Sequence, residues 1–176
     1  MVVRAVLRLG DPRLRHIAEP VPEEGFGTGE LADLITDLRD TMAARDGAGL
    51  AAPQIGVSLR VVIYGITSNP RYPEAPPIPE TVLINPQLLP LGDASQLGWE
   101  GCLSVPGLRG QVRRPQRLQL HWRDAAGGHH QRSVEGFQAR VVQHECDHLD
   151  GLLFVDRLET SRSFGLSDEL RGAGLL

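Results

Sequence analysis

Apolar residues recur at Leu31, Leu34, Ile35, Leu38 and Met42, the spacing of one face of an α-helix. The pattern predicts a helix over residues 30–46, with Thr28 as its amino-terminal cap and Gly47 as its stop. Residues 59–66 (LRVVIYGI) read as a buried strand, and residues 81–85 as a short one. Between them, residues 67–80 carry Pro70, Pro73, Pro76, Pro77 and Pro79. That density of proline forbids regular structure and predicts an exposed loop, the expected place of variability and mobility. Leu118, Leu120 and Trp122 alternate with Gln119, His121 and Arg123, the period of a half-buried strand. The Ala-Ala-Gly-Gly at residues 125–128 turns it into a second strand over residues 131–135. A second helix is predicted over residues 137–150, with Phe137, Val141, His144, Glu145 and His148 on one face. Val142, Cys146 and Leu149 lie beside that face, leaving Arg140, Gln143, Asp147 and Asp150 to the remainder. From Thr160 onward the pattern is weak, and Gly165, Gly172 and Gly174 argue against a long helix. This mixture of elements, without an internal repeat, is α+β.

Length and charge narrow the classes. A chain of 176 residues suits one compact domain, residues 1–176, and its 41% hydrophobic and 23% charged residues are those of a globular protein. A formal net charge of −4 and an isoelectric point near 5.8 argue against direct nucleic-acid binding. Arg113, Arg114 and Arg117 form the one tight basic cluster, which reads as a solvated strand edge. Arg4 and Arg8 interrupt any signal-peptide-like run, and no stretch is long and apolar enough to span a membrane. Only two cysteines occur, so the chain is expected in a reducing, cytoplasmic setting. His121, His129 and His130 read as surface residues.

The chemistry concentrates in His-Glu-Cys-Asp-His at residues 144–148. Helical residues four apart stack on one face, so His144 and His148 can converge on one divalent ion. Glu145 lies about 100° round the helix, poorly placed as a ligand but able to reach water at such an ion. A solvated or core histidine pair would share the spacing, yet both histidines fall in an apolar stripe, where a buried imidazole needs a partner. A hydrolytic site needs one more protein ligand. No histidine follows His148; Glu159 and Glu169 lie in no motif, and Cys102, in WEGCLSVPG at residues 99–107, is the stronger candidate. A small buried hydrophobe is the alternative reading of Cys102.

Three segments occur in order: GAGLAAPQIG at residues 47–56, EGCLS at residues 100–104 and QHECDH at residues 143–148. Together they resemble the signature of the peptide deformylases, and the resemblance runs from Gly-Asp-Pro at residues 10–12 to FVDRL at residues 154–158. It implies an α+β fold in which antiparallel or mixed β-sheets pack around a central metal-binding helix. It also implies hydrolytic removal of the N-formyl group from the formyl-methionyl terminus of newly synthesised polypeptides, releasing formate, with work near the ribosome.

The resemblance assigns roles by position. Cys102, His144 and His148 would hold one divalent ion per chain, Fe(II) by resemblance, with Zn(II), Ni(II) or Co(II) able to substitute; affinity order alone favours zinc. Glu145 would accept the water proton and pass it to the leaving amine, while Gln54 and the Leu103 amide would face the developing oxyanion. Gly49 would let the substrate backbone pair with its loop as an added strand, whereas Gly47 is explained by a helix stop alone. Phe137 and Val141 would line the methionine pocket, although a core role explains them equally. Arg109 and Arg114 match positions near the peptide groove, and Glu100 would orient a neighbouring group or pair with one of these arginines. Cys146 departs from the larger apolar residue usual there; it projects about 200° from His144 and reads as core. A metalloprotease would explain the helix but not the other two motifs. A structural zinc site lacks a fourth ligand, and an inactive binding module would not need Glu145 and Gln54.

Overall fold

The computed structural model describes residues 2–67 and 72–176. A five-stranded sheet has the order β1-β2-β3-β6-β7, formed by Gly49–Ala51, Val61–Ile66, Ile78–Pro90, Arg117–Arg123 and His129–Glu135. A three-stranded sheet has the order β4-β5-β8, formed by Ser95–Cys102, Val105–Pro115 and Phe164–Leu166. Every ladder in both is antiparallel. Helix α1 (Gly29–Ala44) covers one face of the larger sheet, and α2 (Gly136–Leu149) lies on its other face and against β5. This is the α+β arrangement expected, with a central helix carrying the two histidines.

β2 shows why the apolar run is continuous. Val61 and Ile63 pack with Leu31, Leu34, Ile35 and Leu38 of α1, whereas Val62, Tyr64 and Ile66 pack with Val141, Val142, Cys146 and Leu149 of α2. A strand buried on both faces has no polar side to alternate with. Thr28 caps α1 by accepting a hydrogen bond from the Leu31 amide at 3.3 Å. The helix ends at Ala44, and Asp46, not Gly47, takes the left-handed conformation, with φ of 50°. The Gly47 amide then donates to the Met42 carbonyl at 2.9 Å, so the stop comes one residue earlier than predicted.

Three further expectations change. β3 begins at Ile78, inside the proline-rich stretch, and its 13 residues far exceed the short strand predicted. Pro79 is tolerated because the β2–β3 register slips between Tyr64 and Ile66. Gly65 makes the close approach possible: a Cβ there would sit 2.7 Å from the Glu80 Cα. The predicted exposed loop therefore keeps Thr67 and Tyr72 to Pro77 as described irregular chain, with Ser68, Asn69, Pro70 and Arg71 outside the described residues. Second, β4 and β5 were not anticipated. Their inward positions are Gly98, Glu100, Cys102, Gly110, Val112 and Arg114, a set too polar and too glycine-rich to show an apolar period. Third, the tail adds an unanticipated short strand, β8 on β5, while its helix α3 (Ser167–Gly172) has only six residues, in keeping with the glycines that argue against a long one. Among the described residues, no helix is long and apolar enough to cross a membrane.

Candidate metal centre

α2 brings His144 and His148 to the seam between the two sheets, and the last residue of β4, Cys102, meets them there. One donor atom from each of Cys102, His144 and His148 lies within 4.8 Å of the others, and all three residues are buried. The His148 Nε2 stands 3.3 Å from the Cys102 Sγ. His144 turns its Nδ1 to Glu100 Oε2 at 2.9 Å. An ionised carboxylate only accepts, so Nδ1 carries a proton and Nε2 is the nitrogen left to face the centre. Phe154, from the turn after α2, stacks near His144 with ring centroids 6.3 Å apart.

Charge is balanced around a thiolate. Burial pushes the Cys102 thiol up, but the adjoining His148 and His144 imidazoles outweigh it and hold the group well below its usual value. For His144, burial disfavours the charged ring, and the neighbouring Cys102 and Glu100 overcome that and raise it. Burial likewise raises Glu100, against hydrogen bonds from His144 and Arg114 that hold it below the carboxylate range. One soft thiolate with two imidazoles, and no fourth protein ligand in the cluster, suits a borderline divalent ion with a position left open. Of the two alternative ligands, Glu159 lies on the surface paired with Arg113 at 2.8 Å, and Glu169 is exposed on α3.

The first motif loop supplies the opposite wall. After β1, a short 3-10 turn (Ala52–Ile55) places Gln54 in the interior. Its Oε1 accepts from the Ala51 amide at 2.8 Å, which directs Nε2 to the Ser104 Oγ at 3.1 Å and toward the Cys102 Sγ at 3.5 Å. The amino-terminal segment ties the loops together: the Leu7 amide donates to the Gln54 carbonyl at 2.8 Å and the Leu9 amide to that of Ser104 at 2.7 Å. Ser104, fully buried, also donates its amide to the Cys102 Sγ at 3.4 Å. It was not singled out from sequence, although it closes the EGCLS motif. Gly49 has a reason of its own, since a Cβ there would fall 2.6 Å from the Glu145 Cγ and Oε1. The glutamate side chain occupies the space that a larger residue in β1 would need.

These groups open on one pocket, lined by Gly49, Gln54, Leu103, Phe137, Val141 and Glu145 together with Tyr72, Trp99 and Arg140. Tyr72 comes from the stretch predicted to be a loop, and its ring lies 5.3 Å from that of Phe137. Arg109 stands apart from this pocket, with its guanidinium 4.8 Å from the Tyr72 ring centre, in an adjoining groove.

Two expectations are corrected here. Arg114 is not on a solvated edge with Arg113 and Arg117, nor does it line the pocket. It is buried, bonded through Nε and Nη2 to both oxygens of Glu100 at 2.9 Å and through Nη1 to Asp147 at 2.5 Å. Arg140 and Asp147, assigned to the remainder of α2, are also buried. Asp147 also accepts a fork from Arg157 at 2.7 and 2.8 Å, and Arg140 reaches Glu100 at 2.9 Å. The polar side of α2 thus faces an ionic seam.

An open thiolate–imidazole centre with a glutamate beside it defines a hydrolase-type metal site. The polypeptide deformylase model matches residues 3–163. A peptide deformylase of Nitrosomonas europaea is 55% identical over 169 residues, which are 96% of this chain and 95% of that protein. One from Prochlorococcus marinus is 54% identical over 178 residues, covering 100% of this chain and 91% of the relative. The Met-Ala-Ser-bound class I type b peptide deformylase of Acinetobacter baumannii superposes with a TM-score of 0.86 at 42% identity, covering 89% of this chain and 99% of that one. The chain belongs to the polypeptide deformylase family. It is accordingly a hydrolase that removes the N-formyl group from nascent peptides.

Proposed function

We propose that Cys102, His144 and His148 hold the single divalent ion of this deformylase, and that Glu145, Gln54 and the Leu103 amide carry the reaction. What supports the reading is the convergence of the three donors within 4.8 Å beside the pocket that Glu145 and Gln54 line. A divalent ion at this donor set supplies Lewis acidity, which lowers the pKa of water and makes a nucleophile available near neutral pH. Glu145 takes the proton from the attacking water and returns it to the departing amine. Gln54 Nε2, oriented through its Oε1 by the Ala51 amide, donates to the formyl oxygen as charge develops on it, and the Leu103 N–H donates from the other side. Fe(II) is the working ion, and Zn(II), Ni(II) and Co(II) substitute for it.

Phe137 and Val141, with Tyr72 and Trp99, receive the methionine side chain. β1 is the outer strand of its sheet, so a substrate can extend alongside Gly49 as an added strand. Arg109 contacts the peptide further along the adjoining groove. Residues 1–176 act as one domain in the cytoplasm, close to the ribosome, without binding nucleic acid or membrane. The test is formate release from formyl-Met-Ala-Ser by protein purified without oxygen and loaded with Fe(II), beside Glu145→Ala prepared identically. Release that the variant loses is expected. No release from folded, metal-loaded protein would sink the reading.

A further inference from the structure

Arg140 sits one helical turn before His144 on α2, about 40° away around the helix axis, and its guanidinium is buried where a lone cation would be costly. Every bond it makes goes to the strands that carry the site. Nη1 donates to Glu100 Oε1 and to the Val112 carbonyl, each at 2.9 Å, and makes a longer bond to the Gly98 carbonyl at 3.4 Å. Nη2 donates to the Gln96 carbonyl at 2.6 Å. One planar group therefore joins β4, β5 and the helix bearing both histidines.

Glu100 is the point where this matters. Its Oε1 accepts from Arg140 and Arg114, and its Oε2 accepts from Arg114 and from His144 Nδ1. Arg114 holds the carboxylate by a bidentate fork from β5, and Arg140 adds a donor from α2 on Oε1, the oxygen that His144 leaves free. Gly98 is shaped for the same contact, since a Cβ there would stand 2.9 Å from the Arg140 Cζ and Nη2.

We propose that Arg140 is a positioning residue for the metal centre: by holding Glu100, it fixes the orientation and tautomer of His144 and so the retention of the ion. The inference rests on reading Cys102, His144 and His148 as the ligands. Outer partners of metal-binding histidines typically change affinity by roughly 10–100-fold when removed, because the imidazole is then free to rotate and to change tautomer.

The experiment uses the full chain loaded with Co(II). It compares wild type, Arg140→Met and Gly98→Ala by the visible Co(II) ligand-field spectrum, by the Co(II) dissociation constant from competition with a chelator, and by Tm. Gly98→Ala keeps the cation but crowds it from its seat, so it serves if Arg140→Met does not fold. The expected result is an altered Co(II) spectrum and roughly 10–100-fold weaker Co(II) binding in each folded variant, measured well below its Tm. A lowered Tm with unchanged spectrum and affinity would overturn the proposal, because Arg140 would then only hold the strands together. Wild-type protein that binds no Co(II) at all would overturn the ligand assignment, and this inference with it. Wild-type binding with unaffected variants would overturn the role of Arg140 alone.

Discussion

The two sheets solve the problem of burial in opposite ways. The five-stranded sheet is covered on both faces by aliphatic side chains, from α1 on one side and α2 on the other, and β2 contributes to both layers. The three-stranded sheet meets α2 across an ionic seam, in which Glu100 and Arg114 of the sheet pair with Arg140 and Asp147 of the helix and Arg157 joins from the turn after it, beside a smaller apolar cluster around Cys102, Val105, Val112, Leu153 and Phe154. Apolar packing is non-directional and tolerates small adjustments, whereas the ionic seam fixes atoms by bond direction. A catalytic centre needs the second property and a stable fold needs the first. α2 serves both, with Val142, Cys146 and Leu149 on one sheet and His144 and Asp147 toward the other.

Substitutions can break this contrast from either side. The largest effect is expected from Glu145→Ala, which should lower kcat/KM for formate release by roughly 10²–10⁴-fold with metal content and Tm nearly unchanged. Loss of activity only in proportion to loss of folded protein would remove Glu145 from the chemistry. Arg114→Ala should destabilise the chain by about 3–5 kcal/mol in urea unfolding, because Glu100 and Asp147 lose a buried counter-charge. On the larger sheet, Leu83→Ala should cost about 2–5 kcal/mol through the cavity it leaves, while activity per folded molecule stays at the wild-type level. A sharp fall in specific activity there would show the two regions to be less separable than their packing implies. Gln54→Ala should raise the barrier by about 2.7–4 kcal/mol, read as kcat at saturating substrate, if its amide donates to the oxyanion. The smallest change is expected from Arg113→Ala, whose pair with Glu159 is exposed and screened by solvent, so the same unfolding experiment should give a curve close to that of wild type. Arg113 and Arg114 are neighbours in sequence, so the gap between their two values measures burial directly.

The helical spacing of Leu31, Leu34, Ile35 and Leu38, the alternation at residues 118–122 and the i, i+4 histidines could all be read along the chain, because each is a local periodicity imposed by one element's own geometry. The three motifs marked Cys102 and Gln54 for the same reason: short runs of specific residues survive without knowledge of where they meet. Arg140 and Asp147 show where such reading stops. Arg140 lies about 40° and Asp147 about 60° from His144 around the helix, yet polar residues there were assigned to the outer side, since nothing local announces a counter-charge on another strand. The β4–β5 hairpin escaped notice because its inward side is glycine, glutamate and arginine, whose burial is permitted only by mutual bonding.

Ser104, Tyr72 and the explanation of Gly49 belong to the same class. Their importance lies in contacts with residues 50, 65 and 96 positions away in sequence. The amino-acid sequence by itself determined which side chains could bind a metal and move a proton, and which helices and strands had a face to bury. Only the tertiary structure decided which buried charges pair, which nitrogen of His144 faces the centre, and why a glycine must stand opposite Glu145. Those outcomes depend on directional contacts between distant segments, and a periodicity along one segment carries no information about them.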